Sequence, residues 1–95
     1  MKTLVHKWCV SVHGTTDIKI PHELEIVSVG NQKGSLVVWA SGNPNSLELE
    51  ERDSIRITSI HTGEECDGIS VCGKFVGTVL FANDSYVVHV FAESI

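Results

Sequence analysis

"GKFVGTVLFANDSYVVHVF", residues 73–91, decides the fold. Two runs rich in Val and aromatic residues, KFVGTVLF (74–81) and YVVHVF (86–91), flank ANDS (82–85), whose polar residues favour a turn. Apolar residues do not recur here at helical spacing, so the stretch reads as an antiparallel hairpin. Gly77 interrupts the first strand. Inside a strand, Gly marks a bulge or a close approach of another backbone. The simpler reading is a bulge that bends the sheet for closure; the sharper one is a ligand crossing the missing side chain. His89 alternates with Val88 and Val90 and so faces away from them, beside Val87 and Phe91. It is expected to be a half-buried histidine bonded to backbone, with a ligand or base as the alternative.

The same period extends outward. In LVHKWCVSV (4–12), Leu4, His6, Trp8, Val10 and Val12 share one mainly apolar face, while Val5, Lys7, Cys9 and Ser11 share the other. Gly14 and the following TTD are read as the turn, and IKI (18–20) as a short second strand ended by Pro21. LEIVSVG, NQKG and SLVVWA form a hairpin over 24–40, its turn built on Asn and Gly. SGNPNS (41–46) is a loop, LELE (47–50) a strand or edge, SIRITSI (54–60) a half-buried strand and HTGEECDG (61–68) a long turn. At most one turn near 21–24 is helical. Seven to eight short strands in one 95-residue domain predict an all-β fold, a compact antiparallel sandwich or small barrel.

Composition narrows the function. The formal charge of −5, with twelve acids against seven bases, argues against bulk binding to nucleic acid or an anionic membrane surface. No apolar run approaches the roughly 20 residues of a membrane helix. The basic start MKTLVHKWCV has Lys7 within its apolar stretch and no small-residue cleavage site, so no signal peptide is expected. Cys9, Cys66 and Cys72 form an odd set without close spacing, and they are expected to be free thiols in a reducing compartment. The acids in ELEERD (48–53) and EECD (64–67) are read as solvated positions.

The chemistry-bearing residues are few. His61, Glu64, Glu65, Cys66, Asp67 and Cys72 lack the paired tight spacing of structural zinc, so no metal is expected. There is no nucleophile elbow, ordered triad or phosphate-cradling Gly-rich loop, and neither catalysis nor a cofactor is expected. For anion binding, Arg52, Arg56 and Lys74 are the bases of the second half, Arg being a planar fork suited to phosphate. The plain alternative for Arg56 is surface pairing with Glu50, Glu51 or Asp53. Trp39 and Trp8 could stack a base or, more simply, fill a core or subunit interface. His61, Thr62 and Gly63, at a strand end, could donate to a ligand or form an ordinary turn.

The order EIVSV, VVWA (37–40), TG (62–63), KFVGTV (74–79) and VVHVF (87–91) resembles a family of small tailed-phage proteins closing on G-T-V…V-H-V-F-E. The likeness spans most of 8–93, but here Ala92 separates Phe91 from Glu93, which puts any role for that acid in doubt. It implies a phage accessory protein in the host cytoplasm. Such proteins can sequester a nucleotide-derived immune signal, so the resemblance implies a non-enzymatic sponge for a phosphorylated nucleotide-type ligand. Trp39, Arg52, Arg56, His61, Thr62 and Lys74 would then form the site. A pocket of that kind arises most easily between subunits, and a homo-oligomer, a dimer foremost, is expected. A second reading is a module docking on a host or virion protein through an edge strand or apolar patch. The third is a small nucleotide-processing enzyme.

Overall fold

A computed structural model describes residues 3–42, 52–63, 73–82 and 86–95. Seven strands and no helix make up these residues: β1 (Leu4–Cys9), β2 (Gly14–Pro21), β3 (Glu25–Gln32), β4 (Ser35–Gly42), β5 (Arg52–His61), β6 (Lys74–Phe81) and β7 (Tyr86–Ser94). They form two antiparallel sheets, one ordered β1-β4-β3 and the other β2-β5-β7-β6. The all-β expectation holds, and the architecture is a small sandwich.

Alternation explains the layers. Ile18 and Ile20, Ile55 and Ile57, Val79 and Phe81, and Val88 and Val90 face inward from the four-stranded sheet onto Leu36 and Val38 of the other. Burying one such aliphatic side chain contributes about 1.5–3 kcal/mol. Trp8, Val10 and Val12 pack against this core from the first strand and its turn, as their shared face predicts.

Several boundaries differ from the sequence reading. β2 begins at Gly14 and runs through Pro21, so Thr15 to Asp17 are strand residues paired with β5, and the turn lies at 10–13. Pro21 fits because β2 is the sheet's edge strand. In the β3–β4 hairpin, Lys33 and Gly34 carry the positive φ of 51° and 87°, while Asn31 stays in the strand and accepts the Gly34 N–H through Oδ1 at 2.8 Å. β4 continues to Gly42. Residues 22–24 make one turn closed by Leu24 N–H on the Pro21 carbonyl (2.9 Å), without helix. Residues 43–46, LELE (47–50), most of HTGEECDG and 83–85 of ANDS lie outside the described residues.

Gly77 answers to two causes at once. The β6–β7 register shifts between Phe75 and Gly77, which is the bulge. A Cβ on Gly77 would also lie 2.9 Å from Val29 Cγ1, so β3 of the opposite sheet approaches here. Asn31 Nδ2 stitches the same two edges by donating to the Leu80 carbonyl at 3.2 Å. β3 carries its own bulge between Ile26 and Ser28. Each bulge bends its strand, and together they let two facing edges that meet at Val29 and Gly77 diverge toward one end.

Candidate functional site

The divergence leaves a groove. A cavity of about 450 Å³ lies between the sheets at that end, a volume within the range of small-ligand sites. Ile20, Leu24, Ile26, Ile55 and Ala92 supply apolar lining, and the bulged Val27 and Val76 line it too. Its charged lining is unbalanced, with Glu25, Asp53 and Glu93 against Lys74. His22 Nδ1 stands 3.2 Å from Asp53 Oδ1. Phe75, 54 % exposed, lines the groove and meets Phe91 edge-on at 5.5 Å between ring centroids. Leu80, 48 % exposed, lies farther along β6 and is separated from that pair by Thr78 and His89.

The six residues expected to bind a ligand do not converge within one chain. Lys74 lines the groove. Arg52 is at the start of β5, where Nη1 donates to the Lys19 carbonyl at 3.3 Å. Arg56 is held by Asp17, its cross-strand neighbour on β2, through Nε–Oδ1 at 2.9 Å and Nη2–Oδ2 at 3.2 Å. Of the surface partners considered from sequence, Glu50 and Glu51 lie outside the described residues, and the partner found is Asp17. The hydrogen bond from Arg56, aided by its charge, holds the Asp17 carboxyl below the ordinary range; the Asp17 hydrogen bond and charge raise Arg56 in turn. Trp39 is on the outer face of the other sheet, its ring 3.1 Å from where a Gly30 Cβ would stand. Stacked sheets lie roughly 10 Å apart, so a nucleotide touching Trp39 cannot reach Arg56 of the same chain.

His61 and Thr62 part company at the far end of β5. Strand residues five apart face opposite ways, so Arg56 and His61 cannot address one anion across the strand. His61 points to the inner side, near Val12 and Tyr86, whereas the Thr62 hydroxyl meets His89 Nε2 at 2.9 Å. His89 Nδ1 meets the Thr78 hydroxyl at 3.0 Å. It is half-buried as expected, but two side-chain hydroxyls satisfy it rather than backbone.

Two residues at this end escaped the sequence reading. Tyr86 Oη lies 2.6 Å from His61 Nε2 and 3.2 Å from His13 Nε2. The signal for Tyr86 was its parity with Val88 and Val90, which puts it on the inner face near the end of β5. His13 carries no local signal, because the sequence reading puts the turn at 14–17, four residues later than the 10–13 turn of the structure. Among the described residues no three of His, Cys, Asp and Glu gather as a metal set. Cys9 is a free, exposed thiol; Cys66, Cys72 and Glu64 to Asp67 lie outside the described residues.

No curated protein and no solved structure matches the chain. A family model does match, over residues 1–95, and the chain belongs to the family described as Domain of unknown function (DUF7352).

Proposed function

We propose that the chain is a non-enzymatic docking module whose groove receives a partner-protein segment carrying an apolar side chain beside a basic one. The carrying observation is the apolar lining with three carboxylates set against one ammonium. A buried apolar side chain supplies affinity, and the carboxylates favour a neighbouring Lys or Arg over an acid. The chain's net charge of −5 steers in the same direction. The exposed Phe75 offers an aromatic anchor at the groove, a residue type enriched in interfaces. The resemblance to tailed-phage proteins implies a host or virion protein as the partner.

Sequestration of a phosphorylated nucleotide is the second reading, and Lys74 is the observation that favours it. It is the weaker one, because Arg56 is already engaged by Asp17 and acids dominate the groove lining.

The test is fluorescence anisotropy with three labelled octapeptides that share a Leu-Phe centre and flank it with Lys, Ser or Glu, plus a labelled cyclic dinucleotide. The Lys peptide should bind best and weaken with salt. Lys74→Glu should tighten it several-fold, and the pair Glu25→Lys with Asp53→Lys should weaken it by about tenfold, the scale of two partly exposed charge contacts. Equal binding of the Glu peptide would overturn the docking proposal. Dinucleotide binding abolished by Lys74→Glu would establish the second reading. Self-association that Phe75→Ser abolishes, with no peptide bound, would assign the surface to a second copy.

A further inference from the structure

We propose that His13, His61 and Tyr86 form a site for a borderline transition-metal dication of the Zn²⁺ or Cu²⁺ type, at the end of the sandwich opposite the groove. Three elements deliver the ligands: the 10–13 turn, the last residue of β5 and the first of β7. Both Nε2 atoms lie within hydrogen-bond reach of one phenolic oxygen, at 2.6 Å for His61 and 3.2 Å for His13. The imidazole centroids are 4.2 Å apart. Neutral imidazole nitrogen is the favoured ligand for such ions.

Protons now hold the positions that a metal would take. The Val12 carbonyl, 2.9 Å from His61 Nε2, can only accept, so this nitrogen carries the hydrogen. The phenol oxygen shares that hydrogen and turns its own toward His13 Nε2, which accepts. Ligands about 2.0–2.1 Å from a tetrahedral zinc lie about 3.3 Å from each other. The His13–Tyr86 spacing already matches that edge, whereas the His61–Tyr86 contact must open by about 0.7 Å on the same geometry. On binding, His61 changes tautomer, Nε2 giving up its hydrogen as Nδ1 takes one from solvent, the phenolic proton is released to solvent, and both Nε2 nitrogens and the phenolate donate their lone pairs to the ion. Solvent completes the fourth position beside the exposed His13.

The turn that carries His13 is held before any ion arrives. Ser11 Oγ accepts the His13 N–H at 3.2 Å and donates to the His13 carbonyl at 2.8 Å. Ser11 N–H donates to Thr16 Oγ1 at 2.9 Å, and Ser59 Oγ donates to the Ser11 carbonyl at 2.8 Å. Ligands fixed in advance reduce the ordering cost of coordination. The site is remote from the groove: His61 and Arg52 bound a β5 of ten residues, about 30 Å from end to end.

Calorimetric titration of the full chain with Zn²⁺, with long-range ¹H–¹⁵N spectra of the histidine side chains, tests the assignment. One equivalent should bind, shift the Nε2 signals of His13 and His61, and release protons, seen as a buffer-dependent heat. His13→Ala and His61→Ala should each lower affinity at least about tenfold, and Tyr86→Phe should lower it less. His13 is exposed, so its variant keeps the test open should His61→Ala fail to fold. Replacing Cys9, Cys66 and Cys72 together by Ser should leave binding intact. Affinity unchanged in His13→Ala, or lost in the triple Ser variant, overturns the proposal.

Discussion

The two ends of this sandwich share β5 and β7 yet differ in how they close. At one end, bulges on β3 and β6 part the facing edges and leave an apolar groove whose charges are mostly negative. At the other, side chains join the turn at 10–13 to β5 and β7 through Ser59, His61 and Tyr86. The inner alternation that fills the middle is common to both, so the core does not cause the difference. One inserted residue in each of two strands separates an open end from a knitted one. Binding to an apolar segment suits the first, and coordination suits the second.

Glycine substitution is the harshest way to probe that contrast. Gly73 (φ 95°) and Gly63 (φ 87°) have similar left-handed backbones, one just before β6 and one just past β5. A Cβ on Gly73 would overlap the Ala92 carbonyl oxygen, backbone that cannot move aside, whereas a Cβ on Gly63 meets nothing within 4 Å. Gly73→Ala should therefore cost about 3 kcal/mol or more, conformational strain plus a steric clash. Gly63→Ala should cost about 1–2 kcal/mol, strain alone. Urea denaturation measures both, and equal losses would mean that the groove end is as accommodating as the far end.

Tyr86→Phe is gentler and tests the knitted end alone. It removes the hydroxyl between the two histidines but leaves His61 bonded to Val12, so the expected loss is about 1 kcal/mol. Groove binding of the Lys-flanked peptide should not change. A parallel loss of binding would show that the ends are coupled.

The smallest effect is electrostatic and belongs to neither end. Because Asp17 has its folded pKa depressed below 3.8 by Arg56, the pair's contribution is complete above that value and disappears as pH falls through the lower, folded one. The Asp17 side chain is about half exposed, so screening keeps the effect slight. Asp17→Asn should flatten the acid limb of the stability profile below pH about 4 and leave neutral-pH peptide binding unaltered. An unchanged acid limb would remove the pair from the list of stabilising contacts.

Legibility tracks the range of each interaction. Gly77 could be read as a bulge or close approach because a glycine inside a strand signals either one locally, although the Val29 it meets belongs to the opposite sheet. The second bulge is not part of the sequence reading: in EIVSV strict alternation puts Ser28 beside Ile26 on the inner face, and the register shift lets Val29 enter instead. Arg56 was readable as an outward strand residue, yet its partner Asp17 is 39 positions away. Lys74 was named for its charge, but the acids that share its groove were read as solvated or left aside. Tyr86 and His13 meet across 73 positions.

By itself, the sequence determined that this is an all-β chain, which residues of most strands face inward, and that Gly77 marks either a bulge or a close approach. Period-two alternation, glycine and turn residues act over a few neighbours, so their meaning survives without knowledge of the partner strand. Only the tertiary structure decided that β5 lies between β2 and β7, that Arg56 is occupied by Asp17, and that acids outnumber Lys74 at the groove. It also brought His13 to His61 and Tyr86. The physical reason is that a site on a sandwich is assembled by strand order and by the approach of one sheet's edge to the other. Neither is encoded in the alternation of any single strand.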